Sequence, residues 1–215
     1  MRQVGVTDSG TGWSRREWIG GAALLAMAVG VPLAAVRLSD LDAEDAPTDR
    51  QRLLIRDVAQ LTIPRTGTPG AGEVGVGDFV VLALAHGLEG SREPGASAAI
   101  QGAHARFRRR DGTLRHLDWL EDELDRRARS DFLAQAPEAR SAALARLDAE
   151  AFAKGADAHP WRTLKALILT GYYTSEVGGS RELRYELVPG RWDPDIPLRP
   201  GDRAWSSDWT AVDFG

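Results

Sequence analysis

The apolar residues of this chain recur at helical spacing through most of its length, and nowhere do they alternate convincingly. Leu54, Val58 and Leu61 fall four and three residues apart, one face of a helix over about 48–62. Leu114, Leu117, Leu120 and Leu124 mark another amphipathic helix, ending near Arg127. Trp161, Leu164, Ile168 and Tyr172 lie on one face of a third. Prolines set the boundaries. Pro64 disfavours helical backbone at Ile63 and so ends the first helix. Pro137 and Pro160 suit first helical positions, ahead of the good helix formers EARSAALARLDAEAF and WRTLKALILTGYY. The run FVVLALAHGL is apolar all round, which predicts a central helix, with Asp78 as its cap. Residues 64–75, PRTGTPGAGEVG, hold two prolines and four glycines and read as a loop. Only Leu183–Val188 alternates, and weakly. The expected fold is all-α: a compact bundle of about five or six helices.

From Arg181 onward the periodicity stops. The stretch 181–215 carries Pro189, Pro194, Pro197 and Pro200 together with Tyr185, Trp192, Trp205, Trp209 and Phe214. Disordered segments are poor in aromatics, and this one is rich. Ordering an irregular residue costs about 1–2 kcal/mol, and fully burying a large apolar side chain returns about 1.5–3 kcal/mol. Five aromatics therefore do not hold the whole tail on a small bundle without further contacts. The tail is expected to meet a partner; folding back on its own bundle is the competing reading.

At 215 residues the chain suits one domain with a targeting segment and a tail. The absence of cysteine excludes disulfides, thiolate zinc sites, Fe–S clusters, covalently attached haem and a cysteine nucleophile. A formal net charge of -4 argues against non-specific nucleic-acid binding. Near the N-terminus, Ser14-Arg15-Arg16-Glu17-Trp18-Ile19 looks like a twin-arginine export signal, with Trp18 and Ile19 as conservative replacements for Phe and Leu. The apolar run Ile19–Val36 spans roughly 27 Å as a helix, close to the ~30 Å hydrocarbon core. Gly20, Gly21, Gly30 and Pro32 make it a weak membrane anchor, although a plain anchor behind two chance arginines is the simpler alternative. Basic residues before the run and Asp40, Asp42, Glu44, Asp45 and Asp49 after it agree with a cytoplasmic N-terminus. Cleavage after the small residues Ala34-Ala35 and retention as an anchor both fit. The organisation expected is a leader over 1–38, an acidic linker over 39–47, a helical domain over 48–180 and a partner-binding tail over 181–215.

Residue constellations for catalysis are weak. Gly70-Ala71-Gly72-Glu73-Val74-Gly75 fits G-x-G-x-x-G, but a helix and two prolines precede it where a strand is needed, and Glu73 would sit beside the anion. His86, His104, His116 and His159 show no ligand spacing and read as capping or surface residues. Arg106, Arg108, Arg109, Arg110 and Arg115 around Asp111-Gly112 read as a solvated helix end, with an anionic partner patch as the alternative. Asp118, Glu121, Asp122, Glu123 and Asp125 read as a solvent-facing set paired with Arg126, Arg127 and Arg129. No serine lies in a G-x-S-x-G elbow. Tyr172-Tyr173 reads as core or interface packing rather than as a proton-transfer pair.

Two blocks carry a family resemblance. Ile63-Pro64-Arg65-Thr66-Gly67-Thr68-Pro69-Gly70-Ala71, followed by Gly75-Val76 and Phe79, resembles the I-P-x-T-D-T-P-G-A block of the gluconate 2-dehydrogenase subunit 3 family. Leu169-Thr170-Gly171-Tyr172-Tyr173-Thr174-Ser175-Glu176-Val177-Gly178, continuing to Leu183, Tyr185 and Val188-Pro189-Gly190, is similar to its G-Y-[FY]-T-S-E-x-G…L-x-Y…P-G pattern. Gly67 departs from the usual Asp. The resemblance, over about residues 48–200, implies a small accessory subunit without catalytic, cofactor or metal residues of its own. Its implied partners are a large FAD-dependent dehydrogenase of the GMC type, which oxidises a sugar, sugar acid or polyol, a cytochrome c subunit bearing haem c, and the twin-arginine translocase. Its implied location is the periplasm, at the inner membrane, with the large subunit exported on this chain's leader through Arg15 and Arg16. The motif and tail residues expected at the partner are Pro64, Thr66, Thr68, Pro69, Gly70, Phe79, Gly171, Tyr172, Tyr173, Ser175, Glu176, Tyr185, Pro189, Gly190, Trp192, Trp205 and Trp209. A stand-alone membrane-tethered helical binding module and an independent cofactor-free enzyme are the other two classes.

Overall fold

Helix formation starts from a capping box. The Thr48 hydroxyl accepts the Gln51 amide at 3.1 Å, and the Gln51 side chain accepts the Thr48 amide at 3.0 Å, which satisfies two of the orphan donors at the first helix's start. In a computed structural model, which describes residues 38, 41–92, 102–156, 158–185, 197 and 199–206, this helix is α1 (Asp49–Thr62). It is followed by α2 (Val76–His86), α3 (His116–Ala128), α4 (Pro137–Ala151) and α5 (Pro160–Tyr173). Short 3-10 turns lie at Ala71–Glu73, Leu88–Gly90 and Gly102–Phe107, and a π-turn at Gly178–Glu182. The fold is the expected all-α bundle. Two-residue strands β1 (Arg184–Tyr185) and β2 (Trp205–Ser206), paired parallel, are an addition that the weak alternation after Leu183 barely announced.

The core follows the helical periods. Leu54 and Val58 of α1, Leu120 and Leu124 of α3, and Trp161, Leu164, Ile168 and Tyr172 of α5 are all buried. Helix α2, apolar on nearly every side, packs against both α1 and α5 and buries Val76 and Val80 to Ala85. Each such side chain fully buried is worth about 1.5–3 kcal/mol, so the bundle rests on these four faces.

Several local expectations need correction. Asp78 does not cap α2: Gly75 does, at φ 83°, a backbone conformation open to glycine, and Asp78 falls within the first turn. Residues 64–75 are not loop throughout, since Ala71–Glu73 forms a 3-10 turn with Ala71 and Gly72 buried. Leu114 precedes α3 rather than joining it. It sits in an antiparallel bridge with Arg108, and the arginine-rich stretch around Asp111 is a tight turn, not a helix end. The acids of α3 do not simply face solvent. Arg50 of α1 binds Glu121, Asp125 and Asp131; Arg106 binds Asp122; only Glu123 takes Arg126 and Arg127 as foreseen. Burial alone would lower the Arg50 guanidinium, and its bonds to three carboxylates more than offset that, so it is held above its ordinary value.

Candidate functional site

The two resemblance blocks, far apart in sequence, meet at one end of the bundle. Pro160 at the first position of α5 and the His159 ring, which accepts the Trp161 amide, fix the start of that helix. Its last turn brings Tyr172 beneath the 63–71 loop. The Tyr172 hydroxyl donates to the Pro69 carbonyl at 3.0 Å. It also lies 3.4 Å from the Thr68 hydroxyl and 3.4 Å from the Glu182 carboxylate. Thr68 donates to the same Glu182 oxygen, and Thr66 reaches it at 3.4 Å. Burial and the nearby Glu182 carboxylate push the Tyr172 phenol up, against the lowering effect of the Thr68 bond, so it remains a donor at neutral pH.

Glycines make the junction close. A Cβ on Gly171 would stand 2.5 Å from the Phe79 ring, and one on Gly178 would stand 2.0 Å from the Tyr172 carbonyl oxygen. Ser175 ties the turn, donating to the Tyr172 carbonyl at 2.6 Å and accepting the Gly178 amide at 3.1 Å. The Gly70 amide donates to Glu73 at 2.8 Å, and Glu73 also pairs with Arg65. The Arg65 bond, then the Gly70 amide, holds that carboxyl below its usual value. The glycine-rich stretch thus folds around its own carboxylate.

The expected contact residues divide. Thr68, Pro69, Gly70, Phe79, Gly171, Tyr172 and Ser175 are spent on the junction. Pro64, Thr66, Tyr173 and Glu176 are exposed around it. Of the tyrosine pair, Tyr172 is 1% exposed and Tyr173 is 42% exposed, with their rings edge to face at 5.3 Å. Tyr185 and Trp205 lie in the strand pair that follows the π-turn. Arg15, Arg16, Pro189, Gly190, Trp192 and Trp209 lie outside the described residues.

Three features escaped the sequence reading. Glu182, the acceptor at the junction, stands in no motif. Asp45 takes Arg92 at 2.5 and 2.6 Å and also Arg109, with both Asp45 and Arg109 side chains nearly inaccessible. Arg109 is therefore no solvated cation. His116 lies beneath this cluster, with Nδ1 3.1 Å from the Leu114 carbonyl. Burial, and then Arg109 and Arg92, push it down to about 4 despite that carbonyl, so it is neutral at pH 7. The third is a groove of about 190 Å³ between α1, α4 and α5, walled by Leu61, Leu144, Ala145 and Trp161. Asp148 at its edge accepts Lys165 at 2.7 Å and the Trp161 indole at 2.7 Å. Among the described residues, no group of three or more His, Asp or Glu side chains is placed to hold a metal ion, and no helix is long and apolar enough to cross a membrane.

The chain belongs to the gluconate 2-dehydrogenase subunit 3 family, whose sequence pattern matches residues 49–190, from the first residue of α1 to beyond β1. No curated protein and no solved structure matches the chain. Membership places it among the accessory subunits of an oxidoreductase complex.

Proposed function

We propose that this chain is a non-catalytic small subunit that binds a flavin-bearing dehydrogenase large subunit, helps it mature and takes it across the inner membrane on the twin-arginine leader. The observation that carries the reading is the family match over 49–190, which takes in both motif blocks and the junction they form. The leader-like SRREWI segment ahead of that match supports the export role. Catalysis, the FAD and the sugar, sugar-acid or polyol pocket belong to the large subunit in this reading, and haem c to a cytochrome subunit downstream. The working location is the periplasmic side of the inner membrane.

Replacing Arg15 and Arg16 together by lysine tests the export role. Lysine keeps the charge but not the planar guanidinium fork. The double variant is expected to leave both this chain and the dehydrogenase activity in the cytoplasm, read by fractionation. Normal periplasmic activity would contradict shared export.

A further inference from the structure

The chain ahead of α1 is part of the folded domain. Leu38 and Leu41 pack against the core. The Asp45 and Ala46 amides donate to the Asp42 carbonyl at 2.8 and 2.9 Å, which closes a turn. Asp45, its side chain 6% exposed, grips Arg92 and Arg109, and Glu44 accepts the Arg110 amide at 3.2 Å. Thr48 then caps α1. Apolar contacts, ion pairs and backbone bonds thus fasten Leu38 and the 41–47 segment to the bundle, where composition alone reads as an acidic linker.

The fastened stretch begins directly behind the leader. The apolar run ends at Val36, and Leu38 follows two residues later, at most about 7 Å of extended chain. The headgroup layer adds roughly 5–8 Å on each side of the hydrocarbon core. A run that crosses the hydrocarbon to Val36 therefore holds Leu38, and the domain packed around it, at the headgroups. Removing a leader requires a peptidase to bind extended chain on both sides of the cut. A cut after Ala34 or Ala35 would make Leu38 the fourth or third residue past it. Backbone that is packed and hydrogen-bonded must open locally before it is cut. The cleavage signal is also poor. The residue three positions before either cut is Pro32 or Leu33, where a small residue is needed. The leader's one Ala-x-Ala triplet, Ala26-Met27-Ala28, ends eight residues before Val36. That is about 12 Å inside the apolar run at the helical rise, within the hydrocarbon.

We infer that the folded domain protects its own leader from removal: the export signal stays on the chain as a membrane anchor, and the 41–47 segment with the 108–115 turn forms the side of the bundle nearest the bilayer. This rests on the export role proposed above. A domain that crosses the membrane already folded arrives with Leu38 and the 41–47 segment docked, so a peptidase meets a closed stretch. The tether between anchor and bundle is then two residues long, too short for the bundle to move away from the membrane. The dehydrogenase it carries is held at the membrane surface rather than released into the periplasm.

The test is the intact mass of the full-length chain, tagged at its C-terminus and co-expressed with the large subunit, after protease added to spheroplasts has shown which molecules are exported. The exported chain is expected to begin at residue 1 and to stay with the membrane through alkaline carbonate extraction. An exported chain beginning at residue 29, 35 or 36 would overturn the inference and leave the export role standing. A wild-type chain that is not exported would overturn the export role, and the inference with it. Leu33→Ala places a small residue three positions before a cut after Ala35, and this variant is still expected to keep its leader. The same variant with about ten Gly/Ser residues inserted between Arg37 and Leu38, a reach of roughly 18 Å, is expected to lose it. Unaltered circular dichroism in both separates access from folding. Equal cleavage with and without the insert, or none in either, would overturn protection by the fold.

Discussion

Two segments are fastened to the bundle by opposite physics. The 63–71 loop is held mainly by shape: glycines at 70, 171 and 178 leave no room for a Cβ against Gln60, the Phe79 ring and the Tyr172 carbonyl, and the Thr68 and Tyr172 hydroxyls complete the contact around the lone Glu182 carboxylate. The 41–47 segment and the 108–115 turn are held by charge, with Asp45 gripping Arg92 and Arg109 above a neutral buried histidine. Shape complementarity costs little electrostatically but tolerates no added atom. A buried charge cluster tolerates shape changes at its margin but fails when one partner goes, because the remaining charges are stranded in a poorly solvated site.

The largest expected effect therefore lies in the charge-held region. Asp45→Ala leaves Arg92 and Arg109 without their shared carboxylate and should cost about 3–5 kcal/mol, the usual penalty for breaking a buried pair. Urea denaturation measures it, and a loss under about 1 kcal/mol would show that solvent reaches these arginines freely.

The same region should weaken in acid. His116 titrates at about 4 in the folded chain against 6.5 unfolded. Between those values the unfolded chain binds a proton that the folded chain does not. This contribution is neutral above pH 6.5, becomes progressively destabilising as pH falls, and levels off near 3 kcal/mol below pH 4. Asp111 and Asp148, whose carboxyls are held below their usual value, keep their contributions through that range and lose them only as pH falls below it. A His116→Gln variant should flatten stability between pH 6.5 and 4.5; an unchanged slope would assign it to other groups.

In the shape-held region the expected effects are smaller. Gly178→Ala places a methyl against the Tyr172 carbonyl and should cost about 1–3 kcal/mol, the usual range for overpacking. Tyr172→Phe removes the bond to the Pro69 carbonyl and should cost about 1 kcal/mol. Thermal unfolding ranks the two, and a larger loss from Tyr172→Phe than from Asp45→Ala would reverse the comparison.

The contrast also explains what was legible in advance. The helices were readable because burial of Leu54, Leu120, Trp161 and Ile168 follows a 3.6-residue period, and Pro137 and Pro160 mark their starts. The shape-held junction was readable as two blocks because glycines and a tyrosine at fixed offsets leave a local pattern. Their meeting point was not, since Glu182 comes from a turn with no period of its own. The charge-held region looked like solvated arginine because nothing local separates a buried guanidinium from an exposed one. Only the distant Asp45 does so. Likewise Arg50 and the α3 acids are partners across helices, and neighbouring arginines in sequence were the wrong guide for most of them.

Deleting 191–215 extends the comparison to the tail. It is expected to keep the helical content while lowering capture of the large subunit, measured by co-purification. The small strand pair between 184–185 and 205–206 would be lost with it.

The central claim is that this chain gathers and exports a flavoprotein without performing the oxidation. It is tested most directly by purifying the tagged chain from the periplasmic fraction with and without the co-expressed large subunit, and recording the flavin absorbance and the sugar-dependent dye reduction of each. The account predicts both signals in the co-expressed preparation and neither in the chain alone. A flavin band or dye reduction from the chain by itself, or a co-expressed preparation lacking both, would contradict it.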